Sequence, residues 1–217
     1  MKDQPIIFSA PMIRALLGGC KTMTRRMAWR EVADFGMRSA AMLDKEGKSW
    51  ARTPWQRVKP GDRLWVRENL AVMGNWGVWH DASGVPASGQ FLDDIDPRGR
   101  AILERYAPTE ATDSARIPSI HMPRWASRLT LVVTATKIER LQDISESDAQ
   151  AEGMPMPYIG DGDPPFTEQA TTVSRRMQFR NLWKLLHGDA SWDDNPEVVA
   201  FTFTVNKQNI DTLGKAP

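Results

Sequence analysis

The sequence predicts an α+β fold, a small mixed β-barrel with flanking helices and long loop insertions. Strand-like segments rich in β-branched residues alternate with short helical patterns along the chain. Excursions rich in Gly, Pro, Asp and Ser separate these elements. The 217 residues are 41% hydrophobic and 25% charged, which is typical of a globular chain with one full core. We therefore expect a single domain over residues 1–206 and a flexible tail over residues 207–217.

Four segments show the pattern of strands. The clearest is residues 129–136, whose Leu, Val and Thr side chains favour extended backbone. Residues 63–68 follow a Pro-Gly-Asp turn and alternate well enough to indicate a strand. Segments of the same kind lie at residues 5–9 and 198–205. These four strands are expected to form the sheet.

Three helices are indicated by their end signals and spacing. The first begins at Pro11, where a missing N–H is tolerated, and ends at Gly18-Gly19. The second begins after the cap residue Ser145 and ends at Gly153. The third is amphipathic and covers residues 172–187.

Three stretches are predicted to be loop insertions. They cover about residues 27–58, 74–118 and 154–170. The second is rich in turn-forming residues and allows one short helix near residues 98–106. Long excursions of this kind in a compact fold are usually functional or mobile.

The balanced net charge conceals an uneven distribution along the chain. The 28 Lys and Arg residues nearly equal the 27 Asp and Glu residues, which excludes a polybasic or acidic tail protein. Residues 1–70 and 119–140 are nevertheless basic, and the rest is acidic. If the basic stretches meet, Arg26, Arg124 and Arg128 would share a face suited to a phosphate-bearing partner. The alternative is that these charges pair with the acidic stretches.

Composition also limits the cofactors and the compartment. Cys20 is the single cysteine, so an intramolecular disulfide is excluded and a reducing, cytoplasmic setting is expected. The three histidines lack metal-binding spacing, and we expect no metal and no cofactor. No apolar run approaches the roughly 18–20 residues of a membrane span, so no membrane partner is expected.

Candidate catalytic chemistry follows the first helix, in Cys20-Lys21-Thr22-Met23-Thr24-Arg25-Arg26. Thr24 and Arg26 should share one face of a strand, and Lys21 can join them only if residues 20–22 form a turn. A partly desolvated lysine beside arginines has a lowered pKa and can serve as a base. A threonine hydroxyl needs such a base to act as a nucleophile. The alternative is a solvated basic strand start.

The same residues carry a family resemblance. Gly19-x-Lys21-x-x-Thr24-x-Arg26 resembles the G-x-K-x-x-T-x-R signature of ASCH domains, which are relatives of the PUA barrel. Further resemblances follow in the family's order, in segments 60–66, 132–141, 141–153 and 201–203. The stretch Pro118–Arg128 is similar to uncharacterised phage and prophage members. The chain is about twice as long as the small bacterial ASCH proteins.

The resemblance implies an enzymatic function. Some small ASCH proteins are amidohydrolases that remove the acetyl group from N4-acetylcytidine, and their working residues match Lys21, Thr24 and Glu152. In that mechanism Lys21 takes the Thr24 proton, Thr24 attacks the acetyl carbonyl, and Glu152 orients Lys21. Arg26 would stabilise the oxyanion or hold the nucleoside. Glu152 is also locally unfavourable at the negative end of a helix, a kind of fault that is concentrated at functional sites.

Other residues are candidates for substrate binding, and other functions stay open. The candidates are Arg25, His121, Arg124 and Trp125, with Trp29 and Trp55 as possible base-stacking residues. A packing or loop role is the alternative for His121 and for the tryptophans. The competing functions are a non-catalytic RNA- or DNA-binding module and a ribonuclease. The partner is accordingly a modified nucleoside or a nucleic acid, and the sequence does not predict an oligomeric state.

Overall fold

The computed structural model divides the chain into two compact units. The first comprises Met1–Gly19, Gly61–Val133 and Phe203–Pro217, and the second comprises Cys20–Pro60 and Thr134–Thr202. The structure describes residues 1–32, 42–43, 48–73, 78–83, 85–88, 105–106, 114–154 and 174–214. The prediction of one domain over residues 1–206 stays a prediction.

The described elements are twelve strands, four α-helices and four short 3-10 helices. The strands are β1 (Asp3–Ile7), β2 (Met23–Met27), β3 (Trp29–Val32), β4 (Met42–Leu43), β5 (Ser49–Arg52), β6 (Arg63–Arg67), β7 (Leu70–Met73), β8 (Val78–His80), β9 (Val85–Ser88), β10 (Ser114–Ile117), β11 (Thr130–Arg140) and β12 (Glu197–Asn206). The helices are α1 (Ala10–Leu17), α2 (Glu146–Ala151), α3 (Arg175–His187) and α4 (Ala190–Asp193). The 3-10 turns are Pro54–Arg57, Ser119–His121, Arg124–Ala126 and Leu141–Asp143.

The first unit contains the parallel pair β1–β6 and a four-stranded antiparallel sheet. Ile6 lies opposite Val66 in the parallel pair, and both side chains are buried. The four-stranded sheet has the order β10-β7-β8-β9. Its apolar residues form one core with the segment after β10, comprising Leu70, Val72, Val78, Ile117, Met122 and Ala126. This unit therefore has a hydrophobic core of its own.

The second unit contains the antiparallel pair β2–β12 and a small sheet of order β3-β5-β4. Thr24 lies opposite Phe201, and Arg26 lies opposite Val199. Helix α3 buries Phe179 and Trp183, and its cap residue Ser174 accepts a hydrogen bond from the Met177 amide. Helix α2 begins as predicted, since the Ser145 hydroxyl accepts from the Asp148 amide at 3.0 Å.

Two predicted insertions contain regular structure, which corrects the sequence prediction. Within residues 27–58, strands β3 and β5 pair antiparallel, with Trp29 opposite Arg52 and Glu31 opposite Trp50. Within residues 74–118, strands β8 and β10 flank β7. Cross-strand contacts stabilise these short strands, and a single segment shows too little alternation to reveal them. Residues 155–170 of the third insertion and nearly all of the helix expected near residues 98–106 lie outside the described residues.

The α+β class is confirmed, and the predicted barrel closure is not. Among the described residues each sheet has two end strands, so no sheet closes on itself. The described pairings end at β1, which pairs in parallel with β6, and at β2, which pairs with β12. No helix in this described part is long and apolar enough to span a membrane.

Residues 207–214 are packed within the first unit, so the flexible tail predicted from residue 207 is wrong for this stretch. The Asn209 amide nitrogen lies 2.9, 3.0 and 2.7 Å from the carbonyl oxygens of Arg124, Trp125 and Ser127. The next residue, Ile210, is 1% exposed. The side chains of Asn209 and Ile210 thus fix this segment in place, although its polar composition is typical of a flexible tail.

Candidate functional site

Lys21 and Glu152 lie in contact through both their backbones and their side chains. The two residues form an isolated antiparallel bridge, and the Thr22 amide donates to the Ala151 carbonyl at 2.8 Å. The Lys21 Nζ donates to Glu152 Oε2 at 2.7 Å, to the Glu152 carbonyl at 2.8 Å and to the Met23 carbonyl at 2.9 Å. Their side chains are 2% and 4% exposed. The predicted turn at residues 20–22 is therefore replaced by a bridge that fixes Lys21 against Glu152.

The end of helix α2 positions Glu152. This residue is the C-cap of the helix, and Gly153 follows with φ of 91°, a conformation that favours glycine. Helix α2 thus ends at Ala151, and the glycine predicted to stop it follows the C-cap residue. Its final carbonyls face the bridge to Lys21, so the lysine ammonium stabilises the negative end of the helix as well as the carboxylate.

Arg25 extends this pair into a buried ionic network. Its side chain is fully buried and donates to Glu139 Oε1 at 2.7 Å, Asp148 Oδ2 at 2.6 Å and Glu152 Oε1 at 3.1 Å. Lys137 Nζ in turn lies 2.9 Å from Glu139 Oε2 and 3.1 Å from Asp148 Oδ2. With Lys21, three cations thus face three carboxylates. Arg25 is a structural cation of this network, whereas the sequence suggested it for substrate binding.

Thr24 and Arg26 occupy one face of β2, as strand alternation predicts. Arg26 Nη1 donates to Thr24 Oγ1 at 2.9 Å and to the Arg25 carbonyl at 2.9 Å. Thr24 is 1% exposed, and Arg26 is half-buried. Because the Thr24 oxygen accepts from Arg26, its own hydroxyl proton is left to be donated elsewhere.

Aromatic side chains surround Arg26 and Thr24. The Arg26 guanidinium lies 5.8 Å from the ring centroid of Trp55, and Trp55 lies 5.9 Å from Phe201, the residue opposite Thr24. His187 stacks on Trp183 at 4.1 Å between ring centroids. Burial and the positive charge of Arg26 lower the pKa of His187. Phe201 and Trp183 are buried, whereas Trp55 and His187 are accessible to a ligand.

Burial lowers the pKa of both Lys21 and Arg26. Desolvation lowers the pKa of Lys21, and the charges of Arg26 and Arg25 lower it further, while Glu152 acts in the opposite direction. Desolvation also lowers the pKa of Arg26 to about 10. Lys21 therefore releases its proton more readily than an ordinary lysine.

Three of the predicted binding residues lie in the first unit and not in the unit that holds Lys21. His121 is exposed, with its ring 5.5 Å from that of Tyr106. Trp125 packs against the core of the four-stranded sheet, which is the packing role. Arg124 donates to Asp3 at 2.6 Å and to Asp211 at 2.7 Å. None of these contacts supports a role in substrate binding.

The arginines expected on a basic face are largely paired with carboxylates. Arg124 pairs with Asp3 and Asp211, and Arg128 donates to both oxygens of Glu68 at 2.9 Å. Asp3 and Glu68 belong to the basic stretch 1–70 and only Asp211 to an acidic stretch, so these arginines are neutralised largely within the basic stretches themselves.

Sequence reasoning missed Lys137, Glu139 and Asp148 as members of the network. Lys137 and Glu139 are two residues apart on β11, which places them on one face of the strand. The backbone amide of Asp148 also takes part in the cap of α2, and the sequence indicated only this role. The sequence feature that could have indicated them is the pair Lys137 and Glu139, two positions apart in β11 and after its apolar residues.

Metal ligands and known relatives were the two other possible indications of function. In the described ranges there is no group of three or more His, Cys, Asp or Glu side chains that could hold a metal ion. Comparison of the chain with protein-family models, curated proteins and solved structures finds no match. A function is therefore assigned from the residues of the site and their contacts.

The ionic network predicts an unequal response to two arginine substitutions. Arg25→Met leaves three buried or half-buried carboxylates without their shared cation, so we expect the free energy of unfolding to fall by roughly 3–5 kcal/mol. Arg30→Met, on β3, removes an exposed guanidinium and should change the free energy of unfolding by less than about 0.5 kcal/mol. Urea unfolding measures both. Equal, small changes would show that Arg25 does not hold the network together.

Proposed function

We propose that the protein is an amidohydrolase of ASCH type, which removes an acyl group from a modified base or nucleoside such as N4-acetylcytidine. The observations that carry this proposal are the buried Lys21–Glu152 pair and, three residues after Lys21, the buried Thr24 that is hydrogen-bonded to Arg26. The order of motifs that resembles ASCH domains, and with it a PUA-like relationship, supports the same assignment. The resemblance points to Lys21, Thr24 and Glu152, and two of these three are in direct contact.

Lys21 is the proposed base. The protonated amine donates to three acceptors, whereas a neutral amine keeps only two N–H groups and gains a lone pair. Deprotonation therefore releases one acceptor and creates the group that can take a proton from Thr24. The desolvation that lowers the Lys21 pKa makes this neutral form accessible nearer to neutral pH.

Thr24 is the proposed nucleophile. Its Oγ1 attacks the acyl carbonyl carbon while its proton passes to Lys21 Nζ, which gives a tetrahedral oxyanion. Arg26, already bonded to Thr24 Oγ1, supplies N–H donors to that oxyanion. The Lys21 ammonium then donates its proton to the exocyclic nitrogen, the C–N bond breaks, and the free base or nucleoside leaves.

Hydrolysis of the acyl-Thr24 ester completes the cycle. Water attacks the ester carbonyl and gives one proton to the neutral Lys21, which passes it to Thr24 Oγ1 as the ester bond breaks. The acid leaves, and Lys21 and Thr24 return to their starting protonation states. Glu152 acts as a positioning residue throughout, because it holds the Lys21 nitrogen through two acceptors.

Substrate access requires a movement of Arg26. Thr24 is 1% exposed and its oxygen is covered by Arg26, so a substrate carbonyl reaches it only after this side chain shifts. The residue as a whole is half-buried, and its guanidinium lies 5.8 Å from the ring centroid of Trp55. We propose that the acyl oxygen of the substrate replaces Thr24 as the acceptor for Arg26.

A non-catalytic RNA- or DNA-binding module is the second candidate function. The observation that favours it is the same burial, since a completely paired lysine and a covered threonine also form a stable structural centre. In that function the exposed groups near Trp55 would contact a base, and no bond would be cleaved.

The proposed nucleophile has a matched control in the same segment. Thr24→Ala should reduce release of cytidine from N4-acetylcytidine by at least about 1,000-fold, because the covalent step is lost. Thr22→Ala changes an exposed hydroxyl two residues away and should retain activity. Chromatography of the released cytidine measures both. Lys21→Ala combined with Thr24→Ala should be little worse than either alone, because nucleophile and base act together.

Different outcomes separate the candidate functions. Equal turnover by Thr24→Ala and Thr22→Ala would exclude the covalent mechanism. No turnover by the unmodified protein across a panel of acylated nucleosides and oligonucleotides would favour the binding module.

The pH dependence of the reaction should report the charge on Lys21. Because the neutral amine is the active form, the rate should rise with pH and level off above the Lys21 pKa, below the ordinary value of 10.5. Glu152 raises this pKa, so Glu152→Gln should move the midpoint to lower pH while reducing the plateau rate less than Lys21→Ala does. A shift of the midpoint to higher pH would contradict this assignment of the base.

A further inference from the structure

The second unit also contains a cleft that the proposed reaction does not use. The cleft has a volume of about 610 Å³, within the range of small-molecule sites. It is lined by Met27 at the end of β2, by residues of β3 and β5, and by the segment that precedes β12. Met27 is three residues from Thr24, which corresponds to about 10 Å along an extended strand.

Two tryptophans supply the aromatic surface of this cleft. In the β3–β5 pair, Glu31 lies opposite Trp50 and Trp29 lies opposite Arg52, so all four side chains project from one face of the sheet. Trp29 and Trp50 are therefore diagonal neighbours, with backbones roughly 7–8 Å apart. Both line the cleft and are partly exposed. This arrangement offers aromatic faces at a spacing that a planar ring can use.

Trp29 is held in a fixed orientation. Its indole Nε1 donates to Glu197 Oε2 at 2.8 Å, and Glu197 begins strand β12. The Arg52 guanidinium lies 5.9 Å from the centroid of its ring. A ring that is oriented before binding loses little conformational entropy when a ligand stacks on it.

The charges of the cleft distinguish between ligand classes. Lys48 and Arg140 bring positive charge to the lining, Glu31, Asp194 and Glu197 bring negative charge, and Lys48 Nζ lies 4.0 Å from Glu31 Oε2. Glu31 and Asp194 are exposed carboxylates that can accept hydrogen bonds from amino groups. A neutral ring with an exocyclic amino group, attached to a phosphate, satisfies both sets of charges.

We propose that this cleft binds an amino-bearing nucleobase, supplied either by a free nucleotide or by single-stranded RNA or DNA. The ring stacks on Trp29 and Trp50, its amino group donates to Glu31 or Asp194, and its phosphate lies near Arg140 or Lys48. The site stands independently of the hydrolytic function proposed above, because it shares no side chain with the Lys21–Glu152 network.

Calorimetric titration of the full-length protein with nucleoside monophosphates tests the site. Cytidine, adenosine and guanosine monophosphates should bind more tightly than uridine monophosphate, and ribose 5-phosphate, which lacks a base, should not bind. Trp50→Leu should weaken binding by about 5- to 150-fold. Trp65→Leu, which removes a partly exposed tryptophan on β6 in the first unit, is the matched control and should leave this binding unchanged.

A second variant keeps the test valid if Trp50→Leu does not fold. Asp194→Asn changes an exposed side chain and should reduce the preference for cytidine over uridine monophosphate. Tighter, salt-sensitive binding of a single-stranded oligonucleotide would identify a polymer as the source of the base, and equal affinity would identify free nucleotides. Binding of choline or ribose 5-phosphate as tight as that of the nucleotides, or unchanged affinity in both cleft variants, would overturn the proposal. These titrations do not depend on turnover, so they remain decisive if the hydrolase proposal fails.

Discussion

The electrostatic pairing of Lys21 with Glu152 is the constraint on which the second unit depends. A lysine ammonium removed from water is destabilising by several kcal/mol unless a carboxylate and further acceptors surround it. Glu152 provides both a carboxylate oxygen and a carbonyl oxygen, and the backbone bridge fixes their position. Its other carboxylate oxygen accepts from Arg25, which joins β2 to Glu139 on β11 and Asp148 on α2. The same burial that requires these partners also lowers the pKa of Lys21. The burial of Lys21 thus accounts both for its ordered ion pair with Glu152 and for its proposed reactivity.

Much of the fold could be predicted from local sequence, and the exceptions have a common reason. The long β-branched segment, the Ser145 cap and the glycine stop after α1 act within a few residues, and the structure contains each of them. Strands β3 and β5 depend instead on cross-strand contacts such as Glu31 with Trp50, which no single segment displays. Asn209 is similar, because its three carbonyl partners lie more than eighty residues away. Barrel closure was inferred from strands that alternate with short helices and long excursions, and the described strand pairings do not include it.

The residues of the candidate site were likewise predictable only where the signal lies in local sequence. Strand alternation predicted that Thr24 and Arg26 share a face, and the family motif indicated both Lys21 and Glu152, which the fold brings into contact. The sequence did not predict that Arg25 belongs to an ionic network, because its partners Glu139 and Asp148 are more than one hundred residues away. Charge totals suggested a basic face, yet Arg124 and Arg128 are paired with nearby carboxylates. Composition gives the number of charges, and only the fold determines which of them remain unneutralised.

The proposed chemistry depends on burial making Lys21 a weaker proton binder than an ordinary lysine, in spite of its contact with Glu152. Titration of its side-chain nitrogen by nuclear magnetic resonance measures this directly, with the signal assigned by its loss in Lys21→Arg. We expect a midpoint below the ordinary lysine value of 10.5, because desolvation and the charges of Arg26 and Arg25 outweigh the attraction of Glu152. A midpoint at or above 10.5 would show that the ion pair dominates, and Lys21 would then be a structural cation and not a base.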